Sequence, residues 1–162
     1  MTTTRALDRE AALDRLLDES AIRDLLMRYF YGVDRRQMDP DSLFAEDVVL
    51  EMFGGAVKVQ GLKAIKEGGL AGNRAPARPF QISSHGPTSM RITVDGDTAE
   101  ADTFIVACLV FQPQDGEKGR VLVRGIQYLD KLVRLPQGWR IRQRLHKPLW
   151  QFEAEAVPPD AG

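Results

Sequence analysis

Few side chains in this 162-residue sequence could move a proton: the carboxylate Asp34, the phenol Tyr29, and two imidazoles, His85 and His146. Asp34 ends the segment Arg28-Tyr29-Phe30-Tyr31-Gly32-Val33-Asp34, which closes a long amphipathic run. At 100° per residue, Met27, Phe30 and Tyr31 fall within about 60° of Asp34 around a helix axis. An ionised acid in such an aromatic setting is costly to bury alone. Either it reaches solvent at the helix end, or it has a partner whose charge changes during a reaction. His146 stands on the arginine-bearing face of the last strand and is expected to point outward. His85 lies in Gln81-Ile82-Ser83-Ser84-His85-Gly86-Pro87-Thr88. Strict alternation puts it on a face with Ser83, Ser89 and Arg91, with Met90, Ile92 and Val94 opposite, but a bulge at Pro87 would swap the faces. A lone strand histidine also reads as a purely structural group.

Composition excludes several other chemistries. A net charge of −1 offers no electrostatic case for nucleic acid or an anionic membrane as partner. No apolar stretch approaches the ~20 residues of a membrane helix, and the N-terminus leads into charged sequence rather than a signal core, so a cytoplasmic location is expected. Two histidines and one cysteine in no ligand-like spacing, with no Gly-rich phosphate loop, predict neither metal nor cofactor. Cys108, in an apolar run, reads as a buried structural thiol.

The elements that must position these groups follow from periodicity. Residues 1–6 are expected to be disordered, 7–152 to form one domain, and 153–162 to be a tail. Helical spacing runs from Leu7 to about Asp34, with Ser20 a candidate cap at a joint between two helices. Ile22, Leu25, Leu26, Tyr29 and Val33 form its core stripe. Asp39-Pro40-Asp41 starts a short helix. Strands are expected over Val48–Met52 and Val57–Val59, a helix from Leu62 to about Leu70, and a lid-like loop over 73–79. Four long strands follow, Phe80–Val94, Thr98–Phe111, Arg120–Arg134 and Trp139–Trp150, joined by turns such as Asp95-Gly96-Asp97. The fold class is α+β: a curved antiparallel sheet with N-terminal helices over one face. On the last strand Trp139, Ile141 and Leu145 alternate with Arg140, Arg142, Arg144 and His146. The basic side is either a solvated or subunit-contacting face or an anion site. Tyr128, Asp130 and Arg134 on the neighbouring strand could pair with those arginines.

Several landmarks carry a resemblance: Tyr29-x4-Asp34, Leu43-Phe44-Ala45-Glu46-Asp47, Gly61, His85, Asp95-Gly96-Asp97-Thr98-Ala99 and Gly138-Trp139-Arg140-Ile141. Over roughly residues 12–152 the chain resembles the SnoaL-like polyketide cyclase group of the nuclear-transport-factor-like superfamily. Gly32-Val33-Asp34-Arg35-Arg36-Gln37 is similar to the matching segment of hexachlorocyclohexane dehydrochlorinases. The acid–histidine pair resembles that of bile acid 7α-dehydratases and scytalone dehydratases. The resemblance implies a cone-shaped α+β barrel with Asp34 orienting His85 as general base and Tyr29 as a hydrogen-bond donor. Tyr29 stands where the dehydrochlorinases carry a lysine, and Ser89 where they carry an asparagine. On an ideal helix Tyr29 is about 140° from Asp34, so both face one pocket only if the helix bends or ends near Gly32.

Met27, Tyr31, Leu50, Phe104, Leu145 and Arg144 are the candidate substrate-binding residues. The implied activity is a cofactor-free lyase (dehydratase or elimination) or isomerase acting on a small apolar alicyclic, steroid-like or aromatic-derived molecule. The competing reading is a non-catalytic module, such as the small subunit of an aromatic-ring dioxygenase or a ligand-binding protein. The basic last strand and the aromatics Trp150 and Phe152 point to a homo-oligomer, a trimer before a dimer.

Overall fold

Ile22, Leu25, Leu26, Tyr29, Phe30 and Val33 recur at three- and four-residue steps, and in the computed structural model they form the inward stripe of α1 (Thr2–Arg35). The structure describes residues 2–69, 80–111, 113 and 118–156. Burying each large member of that stripe contributes about 1.5–3 kcal/mol. α1 is one helix. It is already helical over residues 2–6, where disorder was expected, and it runs unbroken through Glu19-Ser20. A serine costs a helix interior only a few tenths of a kcal/mol, and the apolar spacing continues across it. On the N-terminal side of that point Asp18 is pinned to the sheet. It accepts from Arg134 Nη1 at 2.5 Å and Nη2 at 2.6 Å, and from Trp139 Nε1 at 3.1 Å.

After α1 come α2 (Pro40–Leu43), β1 (Phe44–Met52), β2 (Val57–Gln60) and α3 (Leu62–Ala64). α3 widens into a π turn over Ile65–Gly69, where Gly68 at φ +99° breaks the helical path expected to reach Leu70. The expected lid, residues 73–79, lies outside the described residues. β3 (Phe80–Asp95), β4 (Thr98–Phe111), β5 (Gly119–Leu135) and β6 (Gly138–Ala156) follow. β6 continues past Pro148 to Ala156, so residues 153–156 belong to the sheet rather than to a tail. The six strands order as β2-β1-β6-β5-β4-β3. All neighbours are antiparallel except β1 and β6, which pair in parallel. The sheet is curved but not closed, and α1 packs chiefly on β3.

Bulges decide which side chains face the helix. In β3, Pro87 pairs with Ile105 and Ser89 with Phe104, leaving Thr88 extra. The inward parity therefore shifts from Ser83, His85 and Pro87 to Met90, Ile92 and Val94, and both sets share the concave face. In β6, Leu132 pairs with Ile141 but Lys131 with Gln143, leaving Arg142 extra. Trp139 and Ile141 face inward before that bulge, and Arg144 and His146 after it. Among the described residues no helix is long and apolar enough to cross a membrane.

Candidate active site

Asp34 occupies the last turn of α1, and the end of that turn is fixed by the chain itself. Gln37 N–H donates to Gly32 O at 2.8 Å and Arg36 N–H to Val33 O at 3.2 Å, with Arg36 at φ +55°. This is a Schellman closure with a left-handed residue just past the helix. A Cβ on Gly32 would stand 2.9 Å from Met38 Cα, so only glycine lets the returning chain pass so close. The closure holds Asp34 at the edge of the buried stripe, facing β3.

There the carboxylate meets His85. Nδ1 of His85 lies 2.5 Å from Asp34 Oδ1, the His85 backbone N–H donates to Oδ2 at 2.8 Å, and the Ser83 hydroxyl donates to Oδ1 at 2.7 Å. Burial pushes the Asp34 carboxyl up. The imidazole, the backbone N–H and the hydroxyl outweigh it, so the group sits below the usual carboxylate range. The Asp34 and His85 side chains are 20% and 12% exposed. Phe30 lies parallel to the His85 ring, with centroids 6.2 Å apart. A carboxylate at Nδ1 selects the tautomer that carries its proton there and leaves Nε2 as a base.

Deeper in the interior, Arg144 and Asp130 form a bidentate pair through Nε at 2.6 Å and Nη2 at 2.7 Å, both side chains fully buried. The guanidinium carbon lies 3.9 Å from the Tyr29 ring centroid and 4.7 Å from that of Tyr128. Tyr29 is thus interior, as expected, but packed on the arginine and on Phe30, Phe44 and Tyr128. Leu50 is interior too, in register with Arg144.

Other candidates lie elsewhere. Met27 and Tyr31 are about half exposed and line an outer groove with Gln37, Asp39 and Ser42. The buried stripe is centred more than about 100° from them around α1, and Asp34 is on its margin. Phe104 points outward because Thr103, Ile105 and Ala107 take the inward parity of β4. Leu145 lies on the outer sheet face with Arg91 and Leu129. Ser89, past the Thr88 bulge, is exposed.

His146 departs furthest from expectation. It is 3% exposed and interior. Its Nδ1 accepts from Phe53 N–H at 3.1 Å, and its ring meets Tyr128 and Phe53 edge-on, each 5.2 Å away. Burial, and then the positive charges of Arg124 and Arg144, pushes the imidazole down to about 4. The folded state therefore resists a proton that the unfolded chain accepts near pH 6.5. Stability is fully present above that pH and falls by roughly 2–3 kcal/mol as pH drops toward 4. Urea titrations at pH 7 and pH 4.5 should show that loss in the wild type and much less of it in His146→Phe. Equal losses in both proteins would refute it.

A SnoaL-like domain model matches residues 14–145. The chain belongs to the SnoaL-like family. Uncharacterised proteins of Mycobacterium tuberculosis and Mycobacterium bovis are each 30% identical to this SnoaL-like chain over 154 residues, 87% of it and 97% of theirs. Among solved structures, a hexachlorocyclohexane dehydrochlorinase from Novosphingobium barchaimii superposes with a TM-score of 0.73 at 20% identity, covering 91% of this chain and 99% of that one. A protein provisionally called an aromatic ring hydroxylase, from Novosphingobium aromaticivorans, gives 0.67 at 24% identity, covering 87% and 94%. One provisionally called a scytalone dehydratase from the same organism gives 0.66 at 19%, covering 91% and 96%. At these identities the structural likeness establishes the fold. The helix, the curved sheet and the family are as the sequence landmarks implied.

Proposed function

We propose that this SnoaL-like protein is a lyase or isomerase that works by proton transfer alone, on a small, largely apolar alicyclic, steroid-like or aromatic-derived substrate. The observation that carries the reading is the 2.5 Å contact of His85 Nδ1 with a carboxylate that two further donors hold in place. His85 Nε2 takes a proton from a carbon next to a leaving group or a carbonyl. Asp34 stabilises the imidazolium that results, as the acid of a Ser-His-Asp triad does with the nucleophile left out. The electron pair from the broken C–H bond expels the leaving group in an elimination. In an isomerisation it shifts, and His85 returns the proton to another carbon. The fold also supports the binding-module reading, and a ring-hydroxylase-named neighbour shares it. A carboxylate aimed at a mostly buried imidazole favours the enzyme.

The test is the ring-proton NMR spectrum of His85. A short Asp–His contact gives a low-field Nδ1–H resonance in the wild type that is absent from Asp34→Asn. An identical His85 spectrum in the two proteins would show that the groups do not interact and would leave the binding-module reading in its place.

A further inference from the structure

The acid–base chemistry leaves one long surface of α1 unused. Met27 and Tyr31, which face away from the base, belong to a second stripe on this helix. Leu13, Leu17, Ser20, Asp24, Met27 and Tyr31 follow one another at steps of four, three, four, three and four residues. That is the spacing of a coiled-coil seam. At 100° per residue all six fall within about 40° of Tyr31, on the side opposite the buried stripe. Leu16 flanks them. The large apolar members, Leu13, Leu16, Leu17, Met27 and Tyr31, are each between 45% and 60% exposed. Single exposed apolar residues are ordinary, but a row of them along one helix marks an interaction surface.

The stripe reads alike from either end. Leu13 and Tyr31, Leu17 and Met27, and Ser20 and Asp24 stand at equal distances on either side of Ile22. Two such helices packed antiparallel place Leu13 on Tyr31 and Leu17 on Met27 at both ends, with Ser20 facing Asp24 twice at the centre. A two-fold interface needs this self-complementarity, because residue i meets j and j meets i. Arg28 Nε donates to Asp24 Oδ2 at 3.0 Å, which leaves Oδ1 for the serine hydroxyl. The charges agree. Apart from Asp18 and Asp34, which are bound to the sheet, the first half of α1 is acidic, with Asp8, Glu10, Asp14 and Glu19 against Arg9 and Arg15. The second half is basic, with Arg23, Arg28, Arg35 and Arg36 against Asp24. Antiparallel pairing lays each acidic half on a basic one. A parallel pair would set Asp24 on Asp24 and like charge on like charge throughout.

We infer that the outer face of α1 is the interface of an antiparallel, two-fold dimer of this chain. Met27 and Tyr31 form, with Ser42 and Leu43, a groove of about 420 Å³. It receives Leu13 and Leu17 of the partner subunit. Tyr31 is already braced for that contact by Arg35, whose guanidinium carbon lies 4.4 Å from the ring centroid. The exposed aromatics of the outer sheet face have contacts within their own chain: Trp150 and Phe152 stack with centroids 6.2 Å apart. The groove borders Gly32, whose close approach to Met38 fixes the helix end that carries Asp34. The dimer therefore covers the outer side of that helix end. The inference does not rest on the acid–base reading.

The experiment is sedimentation equilibrium of the full chain across about 1–100 μM, the range in which an interface of modest size associates. The wild type is expected at the mass of two chains at the upper end. Leu17→Glu/Met27→Glu, which alters only half-exposed side chains, should sediment as one chain with an unchanged circular dichroism spectrum. Ser20→Asp sets a second carboxylate against Asp24 at two places and should raise the dissociation constant at least about tenfold. Ser20→Lys should lower it. Trp150→Glu should dimerise as the wild type does. A wild type of one or three chains would overturn the inference. So would association that survives Leu17→Glu/Met27→Glu but is lost in Trp150→Glu, or equal dissociation constants for Ser20→Asp and Ser20→Lys.

Discussion

Asp130→Ala destabilises the fold by about 3–5 kcal/mol, because it strips the partner from a charge that cannot reach water. Burial alone would push the proton off Arg144. The charge and hydrogen bonds of Asp130 reverse that, and the guanidinium is held above its ordinary range. Its Nη1 makes no hydrogen bond among the described residues and lies within the cage of rings. Without the carboxylate the cation is left buried and unpaired. The double variant Asp130→Leu/Arg144→Met removes both charges and should recover most of the loss, since the two desolvation costs vanish together. The exposed pair Arg142–Asp47 is the control: its side chains are 51% and 58% exposed, and breaking it should cost no more than about 1 kcal/mol. Urea unfolding of the four proteins decides the matter. An Asp130→Ala cost as small as the control's would show that Arg144 finds water or another partner.

The pair also links stability to the site. Tyr29 and Tyr128 lie against the Arg144 guanidinium, Phe30 packs edge-on to both, and Phe30 in turn lies along His85. The arginine expected to meet substrate instead packs behind the rings that lie against His85. Its conformation is part of what keeps the imidazole at a fixed distance from Asp34.

Sequence periodicity was a good guide wherever the period was unbroken. The α1 stripe, the four long strands, the Asp95-Gly96-Asp97 turn and the pairing of Asp130 with an arginine all followed from it. It failed where one extra residue shifts the phase. Pro87 marked the β3 bulge, so the alternative parity at His85 was visible beforehand. Nothing so plain marks Arg142. The row Trp139, Ile141, Leu145 looks continuous, and Gln143, the polar residue inside it, was the available signal that the apolar face changes. Missing it put His146 outside. The Met27 and Tyr31 assignment failed differently. Both cluster around Asp34 on a helical wheel, but Asp34 lies at the margin of the buried arc, so its neighbours on the far side are in solvent. A wheel centred on a chemical group is not centred on the core.

His85→Ala should lower turnover by about 10²–10⁴-fold, the usual contribution of a positioned general base. The panel that supports the assay consists of apolar cyclic ketones and alcohols able to lose water or move a double bond. Asp34→Asn should cost a comparable factor even though an amide can still sit beside the ring. Its carbonyl can accept from Nδ1, but the neutral group does not stabilise the imidazolium, and its N–H₂ can turn the ring to the unproductive tautomer. Because the two residues act as one unit, the double variant should be no slower than His85→Ala alone. Additive losses would mean that each group acts separately on the substrate. Asp34 is held below the usual carboxylate range, so it stays ionised through neutral and mildly acidic pH. Protonation of Asp34 should therefore set no limb of the wild-type pH–rate profile above the ordinary carboxylate range. A rate that falls far less in Asp34→Asn than in His85→Ala would assign Asp34 a packing role and leave His85 to work unassisted.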